Sequence, residues 1–452
     1  MSEAESFTGS ELGESTTGLK KGSWRSASFA KLGEYFREGQ LLATGDKERR
    51  PPPDEDALWV YKTFIYDRPR LAGILIPAVL VHIMWWSYVI PNGKLSLYQD
   101  NWYAAVVMIF GSMIAGATSE GGASIAFPIL TLVFGVEAST ARDFGMMIQT
   151  FGMTSATFTI LYQQITVGWR AIWYCTLGGI PGVFIGLGLI TPFLPSNITK
   201  ITFVSVWLAF AAALFMLNLN SGRHVFLKVE RPKPWKNWVL VIAGFIGGIL
   251  TSLSGSGIDI CAFAILTLLF RVTEKVATPT SVILMAINTS IGFWFKDAWL
   301  GGMDPQAWDF LIVSIPVVVV GAPLGAFLGS YCHRLVLASF VYVTDTAQYV
   351  AATVIVLREV SNPAAYGISS GCCVVVGWVF FYWLTRRGTL LLDAHLATQG
   401  STDQPQKVVD VASTPGSLEV VQAVEGTDEV AIEMGHGTGP SNHVSLDKVN
   451  TL

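Results

Sequence analysis

The stretch A-F-P-I-L-T-L-V-F-G-V, Ala126 to Val136, decides the fold. It returns as A-F-A-I-L-T-L-L-F-R-V, Ala262 to Val272, with eight of eleven positions identical at a constant offset of 136 residues. Chance accounts for some matching of Leu, Ile and Val in an apolar chain. It accounts poorly for a run that also keeps Thr131/Thr267, Ala126/Ala262 and two Phe pairs. A polar, Gly-rich break precedes each copy: T-S-E-G-G at Thr118–Gly122 and S-G-S-G at Ser254–Gly257. A duplicated unit whose apolar segment is broken in each copy points to a membrane transporter.

The composition agrees. Charged residues make up 14% of the chain, against roughly 25% in soluble domains. They concentrate in the two ends, and the interior holds apolar runs long enough to span a bilayer. The runs are continuous rather than alternating, which excludes a membrane β-barrel. No basic face interleaved with aromatics suggests nucleic acid. The five cysteines lie in or beside apolar segments without metal-ligand spacing, so they read as small buried hydrophobes and no metal site is expected. No cofactor motif, ATP-binding P-loop or intramembrane protease motif is present, so no enzyme is expected.

Taken in order, residues 1–70 read as a cytoplasmic N-terminal tail. Within it Trp24, Phe29, Leu32 and Phe36 sit near helical spacing among basic residues. A first spanning helix and loop cover 71–101. Repeat 1 covers 102–218, a basic cytoplasmic loop 219–236 and repeat 2 237–357. A last spanning helix covers 358–387, and 388–452 is too polar to bury a core and reads as a disordered cytoplasmic tail.

Loop charge sets the topology. Lys- and Arg-rich loops stay cytoplasmic. Lys62, Arg68, Arg70, the 219–236 loop and Arg386-Arg387 all fall inside if each broken stretch enters and returns on one side. Each copy then crosses three times, and the copies are inverted. The expected fold is an all-α polytopic membrane protein, multi-pass and integral to a bilayer. It has two inverted repeats, each a broken re-entrant helix pair followed by three spanning helices, plus one flanking helix at each end.

The breaks are the candidate site. A helix restarting after each break presents free N–H groups and a positive dipole end, which attract an anion. Gly121, Gly122, Gly255 and Gly257 let backbone approach a ligand, and Thr118, Ser119, Ser254 and Ser256 offer hydroxyls. The next helix of each copy is polar and adds Thr154, Asn288 and Ser290. Glu120 and Asp259 are acids at membrane depth, a costly placement that is usually functional. They are expected to bind a proton and couple transport to it, or to hold a cation. Each of these groups also has a structural reading, as a turn former, a cap or an interhelical hydrogen bond.

The breaks, the apolar run with Pro128, and the segments A-R-D-F-G-M-M-I-Q-T-F-G-M-T-S (Ala141–Ser155) and V-A-T-P-T-S-V-I-L-M-A-I-N-T-S (Val276–Ser290) resemble the TauE/SafE family of sulfite and organosulfonate exporters. The resemblance covers roughly residues 102–385. It implies a permease for small sulfur-containing or carboxylate anions with no prosthetic group. Gly121, Gly122, Pro128, Gly255 and Gly257 match its motifs, while Glu120, Ser256, Asp259 and Ala264 depart from them. The expected function is secondary-active transport of a small anion by alternating access. A channel that uses the re-entrant pair as a filter, and a non-transporting receptor or scaffold, are the other readings.

Overall fold

A computed structural model describes residues 39–42, 68–218, 224–229, 233–360, 362–399 and 409–410. The N-terminal aromatic stretch, part of the basic loop and most of the C-terminal tail lie outside them. Twelve helices follow in order: α1 Pro69–Val89, α2 Leu97–Ala117, α3 Gly122–Pro128, α4 Ala138–Tyr162, α5 Trp169–Ile185, α6 Ser196–Asn218, α7 Pro234–Ser254, α8 Ile258–Ala264, α9 Glu274–Trp299, α10 Pro305–Tyr331, α11 Arg334–Glu359 and α12 Pro363–Gln399. Eight of the described helices are long and apolar enough to cross a membrane. Helices dominate for a physical reason: in lipid only internal hydrogen bonds can satisfy the backbone.

Several helices begin where proline fixes the first turn, as Pro69 does in α1 and Pro234 in α7. At α10 the Asp304 side chain adds a cap, accepting from the Gln306 amide at 2.8 Å. The last helix outruns the expected boundary at residue 387 and continues to Gln399. Its extension packs on the second copy: a Cβ on Gly388 would stand 2.1 Å from the Leu268 carbonyl oxygen. The arginine pair therefore marks a charged point along a helix, not its end.

Each copy of the repeated run folds identically. Ile129–Val133 and Ile265–Leu269 form one wide π turn apiece, directly after α3 and α8. The Phe134 amide reaches back five residues to the Ile129 carbonyl at 3.3 Å, and Phe270 reaches Ile265 at 3.0 Å. A widened turn leaves a carbonyl short of its amide. The repeated threonine stands at that point. Thr131 Oγ1 donates to the Phe127 carbonyl at 2.8 Å and Thr267 Oγ1 to Phe263 at 2.7 Å. The next turn needs a left-handed residue in both copies: Gly135 at φ +67° and Arg271 at φ +56°.

Packing is exchanged between the copies. α2, which opens the first, lies along α10 of the second, and α7, which opens the second, lies along α5 of the first. Both pairs meet through small residues. A Cβ on Gly178 would stand 1.9 Å from the Val241 carbonyl oxygen, and one on Gly325 would stand 2.0 Å from that of Met113. Such contact substitutes van der Waals packing for the hydrophobic drive that lipid removes.

Polar contacts clamp the bundle at both ends of α4. At its start, Asp143 Oδ1 accepts from Arg142 at 2.9 and 3.0 Å, and Asp143 Oδ2 pairs with Lys296 of α9. Asp304 joins through its own amide, and its Oδ2 accepts from Thr140 at 3.0 Å. At the far end a short strap, Gly39–Leu42, crosses α4, α9 and α10. Gln40 Nε2 donates to Gln163 Oε1 at 2.9 Å and to Ser330 Oγ at 2.8 Å, and Lys275 Nζ donates to the Gly39 carbonyl at 2.8 Å.

Candidate functional site

The two breaks meet inside the bundle. Thr118, Ser119, Glu120, Gly121, Gly122 and Ser254 to Gly257 are all buried. Ser256 Oγ lies 2.9 Å from the Glu120 carbonyl oxygen and 2.6 Å from Asp259 Oδ2. Gln149 of α4 donates through Nε2 to the Gly255 carbonyl at 2.7 Å. Gly121 sits at φ +76° with no room for a side chain. A Cβ there would lie 2.5 Å from Met285 Sδ and 2.8 Å from Gln149 Oε1. Helices α4 and α9 thus wall the junction on either side.

The hydroxyls at the breaks are largely occupied by local bonds. Thr118 Oγ1 donates to the Ile114 carbonyl at 2.9 Å, Ser124 to Gly121 at 2.6 Å and Ser254 to Ser256 at 2.9 Å. Thr251 Oγ1 closes the second break by accepting from the Ile258 amide at 3.1 Å. At the breaks, the buried side-chain atoms without a hydrogen-bond partner among the described residues include both carboxylate oxygens of Glu120, Asp259 Oδ1, Gln149 Oε1 and both ends of the Asn288 amide. No lysine or arginine forms an ion pair with Glu120 or Asp259 among the described residues.

Residues 103–347, more than half of the chain, match the sulfite exporter TauE/SafE family. The chain belongs to this family. It is a multi-pass integral membrane protein of a transporter class. No curated protein and no solved structure matches it.

Within this TauE/SafE chain the two breaks, Glu120 and Asp259 come together as one buried cluster. Asn288 belongs at its edge: its Nδ2 lies 2.5 Å from where a Gly179 Cβ would stand, and Ile258 Cδ1 lies 2.6 Å from the same point. Two predicted residues do not join. Thr154 lies on the exposed face of α4. Ser290, its repeat mate, donates to the Ala286 carbonyl of its own helix at 2.6 Å. The shared offset of Thr154 and Ser290 reflects duplication, since neither side chain reaches the breaks.

Gln149 and Asp345 carry more than the sequence reading gave them. Gln149 stands there only as one letter of the segment Ala141–Ser155. Asp345 was passed over inside the apolar segment of α11. It is fully buried, and neither carboxylate oxygen has a hydrogen-bond partner among the described residues. Its signal was available: a lone acid in a spanning segment is costly and needs a reason.

Proposed function

We propose that this TauE/SafE protein is a secondary-active transporter of a small anion, sulfite or an organosulfonate by family, that works by alternating access around the paired breaks. The supporting observation is the Ser256–Glu120 contact, because the two residues occupy the same position in the two copies, 136 residues apart. On this reading the copies are inverted, α2–α3 and α7–α8 are re-entrant pairs, and the junction is where substrate pauses. Gly121, Gly122, Gly255 and Gly257 bring backbone to the ligand. Thr118, Ser119, Ser254 and Ser256 shape the backbone around it, and Asn288 is the free amide at its edge.

Glu120 and Asp259 oppose an anion while ionised, so protons enter the mechanism. Ser256 has one hydroxyl proton and two close acceptors. Full hydrogen bonds to both at once require that Asp259 carry a proton and donate it to Ser256, whose own proton then goes to the Glu120 carbonyl. Proton binding would thereby be linked to the contact between the breaks.

The test is flux of labelled sulfite, and of a simple alkylsulfonate, in proteoliposomes with an imposed pH gradient. Gradient-dependent flux with counterflow supports the carrier. Flux without saturation or counterflow would indicate a channel, and no flux would indicate a receptor or scaffold. If Glu120→Gln and Asp259→Asn keep the gradient dependence of the wild type, proton coupling through these two acids is wrong.

A further inference from the structure

Glu120 has a second acidic neighbour. Its carboxyl faces that of Asp345 on α11, close enough for a side-chain hydrogen bond between them. Both residues are 0% exposed; their carboxylate oxygens have no well-formed hydrogen-bond partner among the described residues, and the Thr344 hydroxyl stands within reach of Glu120. The nearby Thr344 hydroxyl is turned to its own helix, at 3.0 Å from the Phe340 carbonyl and 3.1 Å from that of Val341. The other titratable group acting on Glu120 is Asp259 from α8, again an acid, and it has Ser256 as a partner. No histidine, lysine or arginine faces the pair among the described residues.

Two carboxylates have only acceptor atoms. Side by side, away from water and without a cation, they repel. A single proton turns one of them into a donor, makes a charge-assisted O–H···O⁻ bond and halves the buried charge. Beside Gly121, the residue after Glu120, lies a further buried oxygen without a partner, Gln149 Oε1.

We infer that Glu120 and Asp345 form a carboxyl pair that holds one proton between them and joins the first break to α11. This deepens the coupling proposed above: Asp345 becomes a member of the proton site, and α11, which packs on α6 and touches the first π turn, becomes the element that senses its occupancy. Loss of the proton sets two charges against each other across the α11–break contact. Its return closes that contact.

Infrared difference spectroscopy across a pH titration of the purified full-length protein reads the proton directly. In an Asp259→Asn background, which removes the third acid's own band, the expected result is a carboxylic-acid C=O band that is lost in Glu120→Gln and equally in Asp345→Asn, with the combined variant matching either one. Asp345→Glu keeps a carboxyl and should keep a shifted band, which guards against a variant that merely misfolds. A band that survives either amide substitution overturns the pair. So does a wild-type band abolished by sodium at constant pH, which would mark a cation site. The measurement needs no substrate. If the band behaves as expected while no anion is carried, the transport reading fails and the proton pair stands.

Discussion

Ser256 Oγ and the Glu120 carbonyl oxygen are 2.9 Å apart, and their separation of 136 residues equals the offset between Ala126 and Ala262. In the inverted-repeat arrangement proposed above, such a contact between equivalent residues would lie close to the axis that relates the copies. Gln149 and Met285, another equivalent pair, flank Gly121 at the same place. Ser256→Ala removes the hydroxyl that bonds both the Glu120 carbonyl and the Asp259 carboxyl. The loss of a buried hydrogen bond with an acceptor left unpaired costs about 1–3 kcal/mol. Thermal unfolding of the purified protein in detergent should show a lowered midpoint. An unchanged midpoint would mean that this contact does not hold the breaks together.

Gly121 gives a second prediction. Alanine there must adopt φ +76° with ψ 161°, a region essentially reserved for glycine, at a cost of roughly 1–3 kcal/mol, and must also displace Met285 Sδ from 2.5 Å. The first cost is fixed, whereas the second depends on a flexible side chain. Gly121→Ala should therefore be destabilised and partly rescued by Met285→Ala, although Met285→Ala alone leaves a void. A double-mutant cycle on unfolding midpoints measures the coupling. Strict additivity would show that Met285 already has room to move.

How far the fold was legible depended on which signal each element carried. The breaks and the repeated run could be found because they are local: glycine clusters against a uniform apolar background. The same run could not disclose its π turns, since i→i+5 bonding leaves no composition of its own and only Thr131 and Thr267 hinted at unusual carbonyls. The start of α2 was placed late because its first turn, Leu97-Tyr98-Gln99-Asp100, is polar and apolarity was the guide. Asp345 shows the limit most clearly. Its partner Glu120 lies 225 residues earlier in the chain, and no periodicity links a residue on α11 to a break in the other copy. Thr154 shows the converse error, in which a matched offset was read as a shared site when α4 turns that residue outward.

Gly135 and Arg271 occupy one left-handed position in two copies, so they separate backbone from side chain. Nothing lies within 4 Å of a Cβ on Gly135, and Gly135→Ala should cost only the backbone conformation, about 1 kcal/mol. Arg271→Gly relieves the same strain in the second copy. It also removes the guanidinium that holds α12 through the Thr385 carbonyl at 3.1 Å and through the Thr389 hydroxyl. Hydrogen bonds from a charged donor contribute about 1.5–3 kcal/mol, so the net change should be destabilising. A rise in the unfolding midpoint of Arg271→Gly would show that the tie to α12 contributes little.

Asp143 balances two cations, Arg142 and Lys296, in a nearly buried cluster. Removing one member of such a cluster leaves uncompensated charge and costs about 3–5 kcal/mol. Asp143→Asn should accordingly be among the most damaging single substitutions in α4, visible as a loss of monodisperse protein on size exclusion. Restoration by Lys296→Met in the same chain would show that unpaired charge, not altered shape, causes the loss. Failure of that second change to help would point to Arg142 or to packing.

The strap across α4, α9 and α10 depends on one side chain more than on the rest. A single Gln40 amide donates to Gln163 and to Ser330, which belong to different parts of the chain, while the strap's backbone contributes the Leu41 carbonyl that accepts from the Thr166 amide at 3.0 Å. Gln40→Ala takes away both side-chain bonds and leaves the Leu41–Thr166 bond with the two ties at Gly39. Partly exposed hydrogen bonds contribute about 0.5–1.5 kcal/mol each, so the strap should open roughly tenfold or more often without unfolding the helices. Deuterium exchange at the Thr166 amide reports that opening, because its acceptor leaves with Leu41. Faster exchange confined to Thr166 and its neighbours is the expected outcome. Exchange at the wild-type rate would mean that Lys275 and the Tyr331 carbonyl, which hold Gly39 from the other side, suffice without Gln40.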